Sequence, residues 1–218
     1  SCVTRCRRFG KSMAAKMLCA YYDHTVDSHA LFTDLEIAKD PTFEEHLNKY
    51  PVIYLDITNF TTRGLPHEEL VHTIQREVSA EMLRTYPEVK AEPGDDLMTV
   101  LLKIADRYNE RFIMIIDEWD AICREYGEKP MVMDGYVNML RGMFKDVSAV
   151  DVFAGVYMTG ILPIKKYKTQ SALNNFLEYS MVEPMGMARF FGFTKDEVTA
   201  LAARHGMDLD ELEKWYDG

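Results

Sequence analysis

The sequence contains little that would suit a disulfide-bonded, zinc-binding or membrane-spanning protein. Its 218 residues include four cysteines without a C-x-x-C pair, and six histidines whose positions show no metal-ligand spacing. No apolar run approaches the roughly 20 residues that cross a bilayer, and no secretory signal opens the chain. We therefore expect a cytoplasmic protein with reduced thiols and without a transmembrane helix.

Positively charged residues are also fewer than negatively charged ones. Lysine and arginine number 25 against 35 aspartates and glutamates, which gives a formal net charge of -10 and a pI near 5.1. Because binding to a nucleic-acid backbone depends on neutralising its phosphates, this acidic balance gives no strong nucleic-acid signal. With 47% hydrophobic residues, the chain can still bury a substantial core.

The segment 112–120, with the sequence FIMIIDEWD, is the most informative part of the chain. Five consecutive apolar residues predict a strand buried on both faces, and this strand ends in two adjacent carboxylates, Asp117 and Glu118. Desolvating a carboxylate is costly unless a cation or a donor compensates it. The pair therefore favours a magnesium site, although an acidic helix N-terminus stabilised by the helix dipole is the simpler alternative.

A second segment, near the N-terminus, has the composition of a phosphate-binding loop. In Gly10-Lys11-Ser12, the glycine would let backbone N–H groups approach the phosphates, the lysine would reach the β/γ oxygens, and the hydroxyl would bind Mg²⁺. The full pattern calls for glycine at position 5, where this chain has Arg5. The predicted nucleotide-binding residues are Arg7, Arg8, Phe9, Gly10, Lys11, Ser12 and Met13.

The loop and the acidic strand support each other because both must meet at one magnesium ion. We predict Ser12 and Asp117 as the metal ligands, with ATP as the nucleotide. The predicted catalytic residues are Lys11, which neutralises the triphosphate, and Glu118, which orients or deprotonates the attacking water. The third predicted catalytic residue is Thr159, at the end of a later apolar segment, which would sense the γ-phosphate. The alternative is that Thr159 caps a turn.

The loop R-x-R-R-F-G-K-S at residues 5–12 resembles a bacterial and archaeal family, the AAA-ATPase-like domain. The resemblance implies binding of a nucleotide and its hydrolysis. Family members often carry a C-terminal nuclease-like domain of the PD-(D/E)XK type, which would lie outside this chain. Cys6 stands where the family pattern leads us to expect proline. The resemblance continues at residues 49–55, 117–120, 159–161, 192–194 and 215–218.

Strand patterns alternate with helix patterns, which predicts an α/β fold with a parallel sheet flanked by helices. One strand precedes the acidic strand and another follows it, as in P-loop NTPases of the additional-strand ATPase type. In that type, the strand ending at Thr159 lies between the phosphate-loop strand and the acidic strand. The sequence predicts strands at 51–57, 112–117, 150–159 and 179–183, an irregular or partly strand-like course at 31–37, and helices at 12–23, 67–85, 95–109, 134–146 and from 194 and 208.

We expect residues 1–188 to form the ATPase core and residues 189–218 to begin a small C-terminal helical lid or linker module. Only three residues precede the loop, so most of the first strand is expected to lie outside this sequence. Asp120 would bind a neighbouring group or, as we favour, cap the next helix. Candidates for an arginine-finger or sensor role, each of which could instead be solvated surface charge, are Arg141, Lys165, Lys166 and Arg189.

Two functions remain open at the level of sequence. The first is Mg-dependent ATP binding and hydrolysis that drives a conformational change, which the intact Glu118 favours. The second is a nucleotide-sensing switch with little turnover, which the substituted Arg5 favours. Two partners also remain open: the nuclease-like domain and a second copy of the chain, which would supply an arginine in a homo-oligomer.

Overall fold

A parallel sheet forms the centre of the protein, which we describe at residues 1–164, 176–183 and 185–216 of a computed structural model. Its strands are β1 (Cys2–Thr4), β2 (Val52–Asp56), β3 (Phe112–Asp117), β4 (Phe153–Gly160) and β5 (Glu178–Tyr179). They lie in the order β2-β3-β4-β1-β5, and each neighbouring pair is parallel. The position of β4 between β1 and β3 confirms the predicted strand arrangement and the α/β fold.

Helices cover both faces of this sheet. In the described residues they are α1 (Lys11–Tyr22), α2 (His29–Phe32), α3 (Phe43–His46), α4 (Thr58–Thr61), α5 (Leu70–Thr85), α6 (Leu97–Tyr108), α7 (Ala121–Tyr126), α8 (Pro130–Lys145), α9 (Ala149–Val152), α10 (Lys195–His205) and α11 (Leu209–Tyr216). Helix α1 contacts β2, β3 and β4, whereas α5, α6 and α8 pack together over the opposite face. No helix in the described part of the chain is both long and apolar enough to cross a membrane.

Strand β3 is buried on both faces because its side chains alternate between two separate clusters. Ile113 and Ile115 pack against Ala15 of α1, while Met114 and Ile116 belong to the larger cluster under α5, α6 and α8. Each such side chain contributes about 1.5–3 kcal/mol when fully buried. Two apolar faces explain why the strand is a continuous apolar run in the sequence rather than an alternating one.

Two predicted segments differ in the structure. The strand-like part of the prediction for 31–37 is wrong, since α2 ends within this segment and a 3₁₀ turn follows at Glu36–Lys39. Strand β4 begins at Phe153 rather than at residue 150. The backbone N–H and the hydroxyl of Ser148 donate to Asp146 Oδ1, the former at 2.9 Å, and this turn leads into α9.

Other boundaries shift by a few residues. The predicted edge strand at 179–183 is shorter and begins earlier, since β5 contains only Glu178 and Tyr179. Helix α8 begins before the predicted 134–146, at Pro130, because proline needs no backbone N–H partner in the first turn of a helix. The remaining predicted helices are present at nearly the predicted positions: 12–23, 67–85 and 95–109.

Helix α10 has the predicted start signal. At the beginning of α10, Thr194 accepts a hydrogen bond from Glu197 N at 3.3 Å, and Thr194 N donates to the Glu197 carboxylate at 2.7 Å. This confirms the capping box. Lys195 of α10 forms an ion pair with Glu213 of α11 at 2.8 Å, which connects the two helices. The division into 1–188 and 189–218 stays a prediction.

Gly160 ends β4 where the turn after β3 approaches most closely. A Cβ atom at this position would lie 2.6 Å from Asp120 Oδ1 and 2.6 Å from Trp119 Cδ1. Both neighbours are completely buried, so neither has free space into which it could move. Only glycine fits between the two chain segments.

We predict that Gly160→Ala destabilises the protein by about 3 kcal/mol, because overpacking at a buried contact forces side chains or backbone to shift. Denaturant-induced unfolding of the purified variant measures this change. Gly142→Ala is the matched control, since a Cβ at this exposed position of α8 has no atom within 4 Å. That control should be neutral or stabilise the helix by up to about 1 kcal/mol. Equal unfolding midpoints for Gly160→Ala and wild type would contradict the prediction.

Candidate functional site

The loop between β1 and α1 delivers the helix N-terminus to the carboxyl edge of the sheet. Ala14 N donates to Gly10 O at 2.9 Å in the first turn of α1, whose leading N–H groups have no partner within the helix. Left-handed φ angles in the loop fall at Arg8 (70°) and Gly10 (79°). Position 5 therefore does not need the glycine that the sequence pattern calls for, and Arg5 causes no backbone strain there.

Lys11 lies between this loop and the end of β3. Its side chain is buried, and its ammonium group donates to Cys6 O at 3.0 Å. The same Nζ atom is 4.0 Å from Glu118 Oε1. The structure thus brings together one residue from each of the two predicted halves of the site, although 107 positions separate them in the sequence.

Asp117 ends β3 and is almost completely buried. Its carboxylate accepts a hydrogen bond from the Tyr54 hydroxyl of β2 at 3.1 Å and another from Glu118 N at 3.0 Å. Burial and the charge of Asp117 raise the pKa of Tyr54 above its ordinary value, so the hydroxyl that donates to Asp117 stays protonated over a still wider pH range. Ser12, the other predicted metal ligand, is exposed in the first turn of α1.

The backbone turns sharply at Glu118. Its φ of 51° lies in the left-handed region, which is uncommon for a residue other than glycine and is often found at functional sites. The next residue, Trp119, donates its backbone N–H to Thr159 O at 3.0 Å, so the turn leads from β3 onto the end of β4. The Glu118 side chain accepts a hydrogen bond from Arg124 Nη2 at 2.7 Å.

Asp120 does not cap α7, and the capping role that we favour from the sequence is wrong. Its fully buried carboxylate instead accepts hydrogen bonds from Ile161 N, Leu162 N and Arg124 Nη1, the last two at 2.9 and 2.7 Å. Burial lowers the pKa of Arg124, but the charge of Asp120 and the hydrogen bonds to both carboxylates outweigh it and raise the pKa above its ordinary value. Arg124 therefore stays charged between Asp120 and Glu118.

Thr159 is completely buried beside this turn. Its carbonyl accepts the hydrogen bond from Trp119, whereas its Oγ1 atom has no hydrogen-bond partner among the described residues. The hydroxyl therefore does not cap a local turn. A buried hydroxyl without a partner is unfavourable by about 1–3 kcal/mol, so it is available to a ligand or a water molecule.

The loop arginines differ in their surroundings. Arg5 is buried, donates Nη1 to Thr4 O at 2.9 Å and to Tyr179 O at 2.7 Å, and lies 5.6 Å from the centre of the Phe191 ring. It therefore has a structural role, since it ties the end of β1 to β5. Arg7 and Arg8 are exposed.

The remaining predicted residues lie in several places. Phe9 contacts the C-terminal segment, because a Cβ atom at Gly192 would come within 3.0 Å of its ring, and Met13 is 65% exposed on α1. Arg141 donates to Asn138 within α8. Arg189 stacks on Phe190, while the other two candidate cations lie outside the described residues: Lys165 and Lys166.

Two residues of this site were missed at the level of sequence. The role of Tyr54 can be recognised only when β2 and β3 are paired. The register then places Asp56, two residues after Tyr54, directly beside Asp117. Arg124 carries a weak local signal, because Asp120 and Arg124 are four residues apart, a spacing that allows an ion pair on a helix. The contact of Arg124 with Glu118 depends on the turn and has no sequence pattern.

The donor atoms at the carboxyl edge suit a magnesium ion. Mg²⁺ prefers oxygen ligands and keeps several of them as water or substrate phosphate, so a few protein oxygens are enough. Ser12 Oγ and the Asp117 carboxylate are such oxygens, one at the helix start and the other at the strand end. The described residues contain no cluster of three or more histidine, cysteine, aspartate or glutamate side chains that could hold a metal by themselves.

The strand order and the strand–loop–helix unit at the N-terminus define an α/β fold of the P-loop NTPase kind. A family model described as a predicted AAA-ATPase, of the AAA-ATPase-like type, matches residues 2–169. The chain belongs to this family. Among curated proteins, none matches the chain.

We predict that Asp120→Asn lowers the free energy of unfolding by about 3 kcal/mol, since the buried amide keeps one acceptor oxygen and removes one of the two carboxylates that pair with the charge of Arg124. Thermal and denaturant unfolding would measure the loss. Asp134→Asn, at an exposed position of α8, is the matched control and should change stability by less than about 0.5 kcal/mol. If both variants unfold at the wild-type midpoint, the contacts of Asp120 do not stabilise the protein.

Proposed function

We propose that this chain is an ATPase that binds ATP with Mg²⁺ where β1 enters α1 and hydrolyses it there. The observation that carries the proposal is the 4.0 Å approach of Lys11 Nζ to Glu118 Oε1. A lysine at the start of the helix and a carboxylate after the buried strand β3 are the groups that such enzymes direct at the γ-phosphate. Membership of a predicted AAA-ATPase family supports the same activity.

Binding would begin with the phosphates at the N-terminus of α1. The leading N–H groups of the helix and its dipole attract an anion, and Gly10 offers no side chain that would block the approach. Lys11 would exchange its hydrogen bond to Cys6 O for the β/γ oxygens, because a charge-assisted contact is stronger than one to a neutral carbonyl. Exposed Arg7 and Arg8 would add positive charge at the mouth of the loop.

Ser12 and Asp117 would hold the magnesium ion on the side of the phosphates. Mg²⁺ supplies positive charge to the β/γ oxygens and lowers the barrier to transfer of the phosphoryl group. The Tyr54 hydroxyl and Glu118 N, both of which donate to the Asp117 carboxylate, orient it toward this position.

Glu118 would act on the attacking water. Its Oε1 atom faces Lys11, while Oε2 is bonded to Arg124, so a single oxygen is left to accept a proton or a hydrogen bond from water. The Thr159 hydroxyl, which has no hydrogen-bond partner in the described part of the chain, would donate to the γ-phosphate or to the water. Most of the rate would come from positioning and electrostatics.

The second candidate function, a nucleotide-sensing switch with little turnover, is favoured by contacts between the loop and the C-terminal segment. Arg5 stacks on Phe191, and Phe9 lies against Gly192, so a movement of the loop on nucleotide binding would reach this segment directly. The same contacts would give hydrolysis a conformational output. Steady release of phosphate without an added acceptor separates the two functions. The nuclease-like domain and self-association stay predictions.

We predict that Lys11→Ala weakens binding of Mg-ATP by about 100-fold, because the charge-assisted contacts to the β/γ oxygens are lost. Folding should survive, since within the described residues the variant gives up a single hydrogen bond, the one to Cys6 O. Titration calorimetry measures the affinity. Lys16→Ala, which removes an exposed lysine from the same helix, serves as the control and should bind normally. Wild-type affinity in Lys11→Ala would refute the proposed phosphate site.

We predict that Glu118→Gln binds Mg-ATP but cleaves it about 10²–10³ times more slowly in a single turnover, because the amide keeps the shape and loses the proton acceptor. Quenched-flow measurement of product formation tests this. Glu128→Gln removes an exposed carboxylate and should leave the rate unchanged. An unaltered rate in Glu118→Gln would assign water activation to another group.

A further inference from the structure

We propose that Arg124 is a positioning residue for hydrolysis, which holds the Glu118 carboxylate in the orientation that receives the attacking water. The inference rests on the proposed ATPase function. The observation behind it is that the guanidinium group of Arg124 forms a fork of two hydrogen bonds. Nη2 donates to Glu118 Oε2 and Nη1 donates to Asp120 Oδ1, both at 2.7 Å.

The first step of the argument concerns the freedom of Glu118. A glutamate side chain has three rotatable bonds, and immobilising it costs a considerable amount of conformational entropy. The left-handed backbone at Glu118 fixes where the side chain starts but not where the carboxylate lies. In the described residues the carboxylate has two cationic partners, Arg124 at 2.7 Å and Lys11 at 4.0 Å. Because bound phosphates would attract Lys11 more strongly, Arg124 is left as the group that orients the carboxylate.

The second step concerns the anchor of Arg124 itself. Asp120, which receives the other arm of the fork, is fully buried and also accepts the backbone N–H groups of Ile161 and Leu162. The guanidinium is planar, and its donors have a fixed geometry, so an anchored Nη1 also fixes the direction of Nη2. Glu118 thereby takes its position from the residues that follow β4.

The third step concerns which carboxylate oxygen stays available. The fork occupies Oε2, and Oε1 points toward Lys11, the residue that marks the phosphate position. Orientation of this kind is worth much in catalysis, since a misplacement of about 1 Å can reduce a rate about 100-fold. An arginine that only supported the fold would need its bond to Asp120 but not the bond to Glu118.

The test uses a double-mutant cycle with Arg124→Gln and Glu118→Gln, in which single-turnover cleavage of Mg-ATP and its affinity are both measured. We expect Arg124→Gln to slow cleavage about 10- to 100-fold and to change the dissociation constant less than about twofold. In the Glu118→Gln background the same change should alter the rate less than about twofold, because Arg124 acts through the missing carboxylate.

Arg124→Lys provides a second variant in case Arg124→Gln folds poorly. Its ammonium group keeps the charge beside Asp120 but cannot span both carboxylates, so we expect an intermediate rate, about 3- to 10-fold below wild type. Arg107→Gln is the matched control, since it breaks an exposed ion pair with Glu88 and should leave the rate and affinity unchanged.

The possible results separate this proposal from the proposed function. A wild-type protein that binds Mg-ATP but releases no phosphate would overturn the ATPase proposal, and the role of Arg124 with it. An active wild type with equal slowing in both backgrounds would overturn the positioning role alone and show that Arg124 only supports the fold. Cleavage by Arg124→Gln or Arg124→Lys at the wild-type rate or faster would also overturn it.

Discussion

The candidate site depends on the turn that carries the chain from the end of β3 onto the end of β4. The backbone of this turn is held by the hydrogen bond from Trp119 N to Thr159 O. The carboxylate of Asp120, also in the turn, accepts hydrogen bonds from Ile161 N and Leu162 N. These bonds lie in the interior, where the loss of a partner leaves a polar group without water and costs more than the bond itself contributes. The turn therefore behaves as a rigid unit, and Glu118 lies at its sharpest point.

The charges around this turn would suit a cationic ligand. Three carboxylates, Asp117, Glu118 and Asp120, come together within four residues, and two cations, Lys11 and Arg124, lie against them. The formal excess of one negative charge would favour a cation on the Asp117 side, where Tyr54 and a backbone N–H are the protein donors. The Asp120 carboxylate already accepts hydrogen bonds from Arg124, Ile161 N and Leu162 N, so we do not expect it to bind the metal.

The parts of this structure that follow from local sequence could be predicted, and the parts that depend on distant contacts could not. Strand β3 is evident from its apolar run, and the start of α10 is evident from its capping box. By contrast, the role of Asp120 depends on Ile161 and Leu162, about forty residues away, and a carboxylate before a helix has the same local pattern whether it caps or not. The short helix α9 was missed because a turn made by Asp146 and Ser148 overrides an apolar segment that would suit a strand.

The arginine in place of the first loop glycine shows how a departure from a pattern can be neutral for one function and useful for another. Glycine is favoured where φ is positive, and in this loop the positive φ angles fall at Arg8 and Gly10 rather than at Arg5. Position 5 is therefore free to carry a side chain, and the chain uses it to bond Tyr179 O and to stack on Phe191. The substitution does not weaken the case for phosphate binding. It adds a physical connection from the loop to β5 and to the segment before α10, and this is the connection that a nucleotide-driven change of conformation would require.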